Sequence, residues 1–139
     1  MKFKKLLLSL LITNSLVLGV FAQGNVSHEA ALHPKTVAFA LEVFNDVVDY
    51  QTPEHLLAYS KEIRQVTIVY QGNSASSLPS LQSVGLITKY NPNLLFDQDD
   101  FDVESFNPLK YHFDFYSSEI QRFRVGNSGY VVVINPQLN

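Results

Sequence analysis

A histidine and an aspartate stand two positions apart in the last third of the chain. His112 and Asp114 lie in the segment 109–116, whose alternation of polar and aromatic residues predicts a β-strand. Side chains two apart on a strand project from the same face. An imidazole beside a carboxylate can act as a general acid or base, which makes His112 and Asp114 the candidate catalytic pair. The same row is also typical of the solvent face of an amphipathic sheet.

Five carboxylates fall within eight positions of a predicted loop, and they are the candidate calcium ligands: Asp97, Asp99, Asp100, Asp102 and Glu104. Oxygen ligands at this density suit a hard cation such as Ca²⁺. An EF-hand loop needs an oxygen ligand at its fifth position and glycine at its sixth, where this chain has Phe101 and Asp102. Apolar residues alternate with the acids, so an edge segment with its charges in water explains the same pattern.

Three further patterns resemble catalytic motifs but have the wrong spacing or residues. His28 and His33 are five apart, whereas a helical zinc pair needs four, so their rings would point about 140° apart. The run Gly126-Asn127-Ser128-Gly129 lies between two predicted strands and favours a hairpin turn over a serine nucleophile. The run 72–76 has a serine where a hydrolase elbow needs its second glycine. No metal site beyond the calcium candidates is predicted.

The N-terminus has the pattern of a secretory signal peptide. Three lysines precede an apolar run over residues 6–21, and a small residue ends it at Ala22. The run is interrupted by polar residues and is shorter than the ~20 residues that span a bilayer, so we expect cleavage after Ala22. The sequence therefore predicts an exported protein, periplasmic or extracellular, with no membrane span in its mature chain.

Composition excludes several kinds of partner and cofactor. The three lysines leave with the signal peptide, so seven of the ten basic side chains remain against thirteen acidic ones, and the mature net charge is near −6. An acidic chain with no basic cluster cannot neutralise phosphates, which argues against nucleic acid. The chain has no cysteine, and this excludes disulfides, thiol nucleophiles and thiolate metal sites. No cofactor is predicted.

The hydrophobic periodicity predicts a scaffold for these residues, a single α+β domain over residues 34–139 that follows a signal peptide over 1–22 and a leader over 23–33. Two N-terminal helices are expected, over residues 34–50 and from Pro53 to about Arg64. β-branched and aromatic runs then predict an antiparallel sheet of about five strands that ends in a C-terminal β-meander. The strands are expected at residues 66–69, 84–90, 109–116, 119–125 and 130–135.

Three functional hypotheses remain open on this sequence. The first is a non-catalytic exported domain that binds a protein or small-molecule partner through a sheet face or edge, with seven tyrosines as a source of contact area. The second is a small hydrolase or isomerase, in which His112 and Asp114 form an acid–base pair in a pocket. The third is an envelope-associated structural subunit with an exposed edge strand at 131–134. An enclosed cavity with both side chains in hydrogen-bonding reach favours the enzyme.

Overall fold

The computed structural model describes residues 32–137, which form an α+β unit. Two α-helices come first, α1 (Thr36–Phe44) and α2 (Pro53–Arg64), and three strands follow, β1 (Val66–Tyr70), β2 (Gln121–Arg124) and β3 (Tyr130–Ile134). Short 3₁₀ helices occupy parts of the connections, at Val48–Gln51, Gly72–Ser77, Leu81–Val84 and Pro108–Lys110. The predicted signal peptide, most of the predicted leader and His28 lie outside the described residues. None of the helices between residues 32 and 137 has the length and apolar composition that a bilayer span requires.

The two helices differ in how well the sequence indicates their ends. Helix α1 is shorter than the predicted span 34–50, because Asn45 takes a left-handed φ of +50° after Phe44 and the chain resumes as the 3₁₀ helix Val48–Gln51. Helix α2 begins and ends as the sequence indicates. Thr52 caps it, Pro53 occupies its first turn, and basic residues in its last turn suit the negative end of the helix dipole.

The sheet has three antiparallel strands in the order β1-β3-β2. Strand β3 is central, with Val66 and Gln121 both paired to Ile134 from opposite sides. Strands β2 and β3 form a hairpin, as the predicted meander requires, but the third member of the sheet is β1 and not the segment 109–116. The segment 131–134, expected as an exposed edge in the third hypothesis, is the middle of the sheet.

The prediction of about five strands is wrong, because the segments 84–90 and 109–116 form no strand in the described chain. They meet only at an isolated antiparallel bridge between Leu86 and Tyr111. Two local features prevent a longer ladder. Asn107 caps the 3₁₀ helix Pro108–Lys110, and Gly85 has a φ of +82°, so both segments curve beside the bridge.

The core consists of two large clusters and a small one. The first packs aromatic residues against one face of the sheet: Leu81, Phe106, Tyr111, Phe113, Phe115, Val125, Val132 and Ile134. The second lies between the helices and the turn at 108–110: Ala40, Val43, Phe44, Tyr59, Ile63, Leu94 and Leu109. The third covers the other face of the sheet with Ala75, Val131 and Val133. The segment 109–113 contributes to both large clusters and therefore joins the helices to the sheet.

Candidate ligand-binding cleft

The predicted pair of His112 and Asp114 lies on the side of the segment 109–116 that faces away from the core. Both side chains are exposed, while their aromatic neighbours are buried. They make no hydrogen bond to each other. The Asp114 carboxylate instead accepts the backbone N–H of Tyr116 at 3.1 Å, which closes a local turn. The structure therefore does not assemble an acid–base pair from these two residues.

His112 lines a cleft in which its acidic neighbour is Glu62 of α2. The cleft has a volume of about 210 Å³ and is partly open to solvent. Ile87 and Leu109 line it together with six aromatic side chains, Phe44, Tyr59, Tyr111, Phe113, Phe115 and Tyr116. A mainly apolar cleft with a few converging polar groups is the usual form of a small-ligand site.

Glu62 and His112 reach the cleft from two different elements, the helix α2 and the segment after the Leu86–Tyr111 bridge. Tyr59 and Glu62 are three residues apart on α2, so they lie on adjacent turns of one helical face. Tyr59 is buried in the helical cluster, and Glu62 reaches the cleft from the edge of that cluster. His112 follows the bridge residue Tyr111, and its backbone N–H donates to the Gly85 carbonyl at 3.3 Å. The cleft is therefore built by the helix on one side and by the bridge on the other.

The Glu62 carboxyl is only partly solvated. Burial raises the pKa of Glu62 from its ordinary 4.5 to about 6. Within the described chain this carboxyl makes no side-chain hydrogen bond and no ion pair. Burial, and then the nearby Glu62 charge, raises the pKa of Tyr59 to about 12. A carboxyl with a shifted pKa that lines the same cleft as an imidazole is typical of functional sites.

The acids at the start of the candidate calcium run have structural partners. Asp97 accepts the Tyr111 hydroxyl at 2.6 Å and forms an ion pair with Lys110 at 2.9 Å. The Asp97 side chain is 17% exposed and that of Lys110 is 9% exposed, so this ion pair is largely buried. Asp99 accepts the backbone N–H of Asn127 at 2.6 Å, which fixes the acidic loop to the β2–β3 hairpin.

The other three acids of the run point to separate places. Asp102 accepts the backbone N–H of Glu104 at 3.0 Å, and the Glu104 carboxylate pairs with Lys35 at 3.2 Å. Asp100 lies beside a broad groove of about 670 Å³ whose other lining residues are uncharged. Among residues 32–137, no three His, Asp or Glu side chains come together in a way that could hold a metal ion. Asp97, Asp99, Asp102 and Glu104 instead stabilise contacts of the loop.

One edge of the sheet is open. The Gln71 N–H donates to the Gly129 carbonyl at 2.8 Å, and this register turns the backbone groups of Val66, Ile68 and Tyr70 away from β3. In the part of the chain that the structure describes, these outward groups have no backbone partner. A groove of about 200 Å³ runs beside them, and its apolar lining includes Phe39, Ile63, Val66, Ile68, Val103 and Phe106. Such an edge can accept an extended segment of another chain.

The loop that contains Ser128 is the turn between β2 and β3, as the glycines indicate. The Ser128 hydroxyl donates to the Val125 carbonyl at 2.6 Å and accepts the Tyr130 N–H at 3.1 Å. Gly129 has a φ of +80°, and a Cβ there would lie 2.7 Å from the Tyr70 ring. Ser128 therefore has a structural role in the turn.

Glu62 is the functional candidate that the sequence reasoning does not single out. Leu56, Tyr59 and Ile63 of α2 pack in the helical cluster, and Glu62 stands between the last two in the sequence. An acid flanked by core positions on one helical face is the signal that could have identified it. No protein-family profile, curated protein or solved structure matches this chain.

Proposed function

We propose that the protein is an exported, non-catalytic binding domain that takes a small ligand in the cleft between Glu62 and His112. The observation that carries the proposal is the cleft itself, a mainly aromatic hollow whose walls include the Glu62 carboxyl, unpaired among the described residues, and the His112 imidazole. Aromatic walls supply contact area, and two polar groups can fix the orientation of a ligand. The signal pattern at the N-terminus supports the export.

The volume of the cleft limits the size of the ligand. The cleft measures about 210 Å³. An apolar cavity of about 150 Å³ holds one benzene molecule, and pockets for drug-sized ligands measure about 300–1,000 Å³. We therefore expect a ligand that places one ring, or a branched group of similar size, in the cleft.

A fragment screen tests this proposal. It uses the full gene product in the form that remains after any signal-peptide cleavage by the host. We expect compounds of one-ring size to shift the nuclear magnetic resonance signals of His112 and Tyr116 and to raise the Tm. Tyr116 is 79% exposed on the cleft wall, and Tyr116→Ala should weaken binding about threefold to tenfold because it removes aromatic contact. Tyr70→Ala, at a 69% exposed position outside the cleft, is the matched control. Equal binding by the two variants, or no shift at the cleft, contradicts the proposal.

An acid–base enzyme is the second candidate, and the raised pKa of Glu62 favours it. A carboxyl that keeps its proton up to about pH 6 can donate it to a bound substrate, with His112 as the second group. Glu62 would then take the place that the sequence gives to Asp114. Measuring whether the bound fragments are converted to products separates the two candidates. Conversion that is lost in Glu62→Gln supports the enzyme, and binding without conversion supports the binding domain.

The third candidate is contact with another polypeptide through β1. In this candidate the exposed edge strand is β1 and not the segment 131–134. The outward backbone groups of β1 and the apolar groove beside them favour it. Sedimentation velocity should reveal self-association that Tyr70→Pro abolishes and Tyr70→Thr keeps, because proline removes an outward N–H without breaking the β1–β3 ladder. A monomer at all concentrations contradicts the structural-subunit hypothesis.

A further inference from the structure

The walls of the Glu62–His112 cleft carry an acidic group without a basic counterpart. Among the described residues that line the cleft, Glu62 has the only carboxyl, and none is lysine or arginine. Six aromatic side chains line the same cleft, and an aromatic ring that turns its face to a cation attracts it. Lys61 and Arg64 neighbour Glu62 on α2, but both are exposed and neither lines the cleft.

We infer that the cleft binds a small organic cation, an ammonium group with alkyl substituents, whose charge lies between the Glu62 carboxylate and the aromatic faces. The inference rests on the proposed function and names the chemical class of its ligand. A cation above an aromatic face is attracted by the ring, and more strongly where water is excluded. The alkyl substituents would cover the apolar walls.

Other ligand classes fit these walls less well. An anion would meet the Glu62 carboxylate with no lysine or arginine to compensate its own charge. A neutral apolar ligand would remove more water from a carboxylate that has no partner in the described chain, which costs free energy. A bare ammonium would need several hydrogen-bond acceptors, and aromatic walls offer few. An alkylated ammonium avoids all three problems, because its charge compensates the carboxylate and its alkyl groups need no hydrogen-bond acceptors.

Ionisation of Glu62 should make the binding depend on pH. The pKa of Glu62 is about 6, so the counter-charge for a cation is present above that pH and is lost below it. The other titratable side chains that line the cleft are His112, Tyr59, Tyr111 and Tyr116. Protonation of His112 would repel a cation and act in the same direction, so His112→Asn is needed to separate the two. Burial raises the pKa of Tyr59 and of Tyr111, which keeps both phenols neutral at physiological pH.

Two probes test the inference on the full gene product. The first is choline, and the second is its uncharged isostere 3,3-dimethylbutan-1-ol (dimethylbutanol), which has carbon in place of nitrogen. Calorimetric titration should show choline binding at least about tenfold more tightly than dimethylbutanol at pH 7. Glu62→Gln should lower the affinity for choline about tenfold and should not weaken dimethylbutanol, while Glu119→Gln, at an exposed acid outside the cleft, changes neither. From pH 7 to pH 5 His112→Asn should lose about fivefold in choline affinity, the wild type should lose at least as much, and Glu62→Gln should lose less.

The outcomes separate this inference from the proposed function. Equal affinities for choline and dimethylbutanol, with signals shifting at the cleft, overturn the cation class and leave the binding domain standing. Choline binding that Glu62→Gln does not weaken also overturns it, as does the absence of any shift at the cleft with either probe. The fragment screen with Tyr116→Ala judges the proposed function independently. Glu62→Gln is isosteric and relieves a buried charge, so loss of choline binding in this variant does not report unfolding.

Discussion

Ionisation of Glu62 couples the cleft to the stability of the chain. Its folded pKa of about 6 lies above the ordinary 4.5, so the folded state binds this proton more tightly than the unfolded state. The resulting stabilisation is fully present below pH 4.5 and is lost as the pH rises through 6. The shift corresponds to about 2 kcal/mol, and solvent screening of this partly exposed side chain reduces the expected effect to about 1 kcal/mol.

We predict that Glu62→Gln raises the free energy of unfolding by about 1 kcal/mol at pH 7 and leaves it nearly unchanged at pH 4. The amide has no charge to bury, so the variant lacks this part of the pH dependence. Urea unfolding at both pH values measures the difference. Glu119→Gln, at an exposed position, is the control and should show no such difference between the two pH values. A Glu62→Gln variant as stable as the wild type at pH 7 contradicts the prediction.

Removal of either of two buried hydroxyls near the start of α1 should change the stability of the fold, in opposite directions. The Thr36 hydroxyl has no hydrogen-bond partner within the described residues, whereas the Ser60 hydroxyl accepts the His33 N–H at 2.6 Å. We predict that Thr36→Val stabilises the fold by about 1 kcal/mol, because it removes an unsatisfied polar atom and keeps the shape. Ser60→Ala should cost about 1 kcal/mol, because it leaves the N–H without its acceptor. Thermal unfolding of both variants measures these effects, and destabilisation by Thr36→Val would show that its hydroxyl has a partner.

The chemistry of single residues was only partly predictable from the sequence. The alternation in 109–116 correctly indicates that Tyr111, Phe113 and Phe115 are buried and that His112 lies on the polar side, but Lys110, on the same polar row, is buried. It does not reveal that Asp114 closes a local turn or that Glu62, fifty positions earlier in the chain, faces the same cleft. Neighbours of that kind depend on how α2 packs against the bridge at Tyr111, and no local pattern contains that information.

At the scale of elements, the ion pair of Asp97 and Lys110 fixes the acidic loop to the turn before the bridge. We predict that Asp97→Asn costs about 3 kcal/mol, because it removes the counter-charge of the buried Lys110 ammonium. Lys110→Met combined with Asp97→Asn should cost less than the sum of the single changes. Chemical denaturation of the three variants completes a double-mutant cycle.

The exposed ion pair of Lys35 and Glu104 provides the matched control for this cycle. Its side chains are 42% and 87% exposed, so Glu104→Gln should cost less than about 1 kcal/mol. Costs of similar size for Glu104→Gln and Asp97→Asn would contradict the role given to the buried pair.

Elements with strong local signals are the ones that the sequence predicts well. Helix α2 has a cap and an N-terminal proline, and strands β1 and β3 are β-branched runs next to turns. The segment 109–116 has the same alternation, yet its backbone meets a neighbour only at Leu86. Periodicity reports which side chains face the core, and it does not report whether another strand lies alongside. This is why the sheet has three strands where five are predicted.

At the scale of the whole molecule, the export prediction has a direct test. We predict that the secreted chain begins at Gln23, which intact-mass measurement of the exported product would establish. Ala22→Lys should block cleavage and retain the first 22 residues, because signal peptidases need a small residue before the cut. Gln23→Ser is the control and should be processed normally. An exported product that still begins at Met1 contradicts the prediction.

The central position of β3 has a consequence for biosynthesis. Strand β3 is the last of the three strands to be made, and Val66 must wait for Ile134, 68 positions later, before the two can pair. At about 5–20 residues per second, translation needs roughly 3–14 seconds to cover that distance. A nascent chain thus cannot complete this sheet before β3 has left the ribosome, and if the chain is exported as predicted, that delay leaves the sheet unformed while the chain enters a translocation channel.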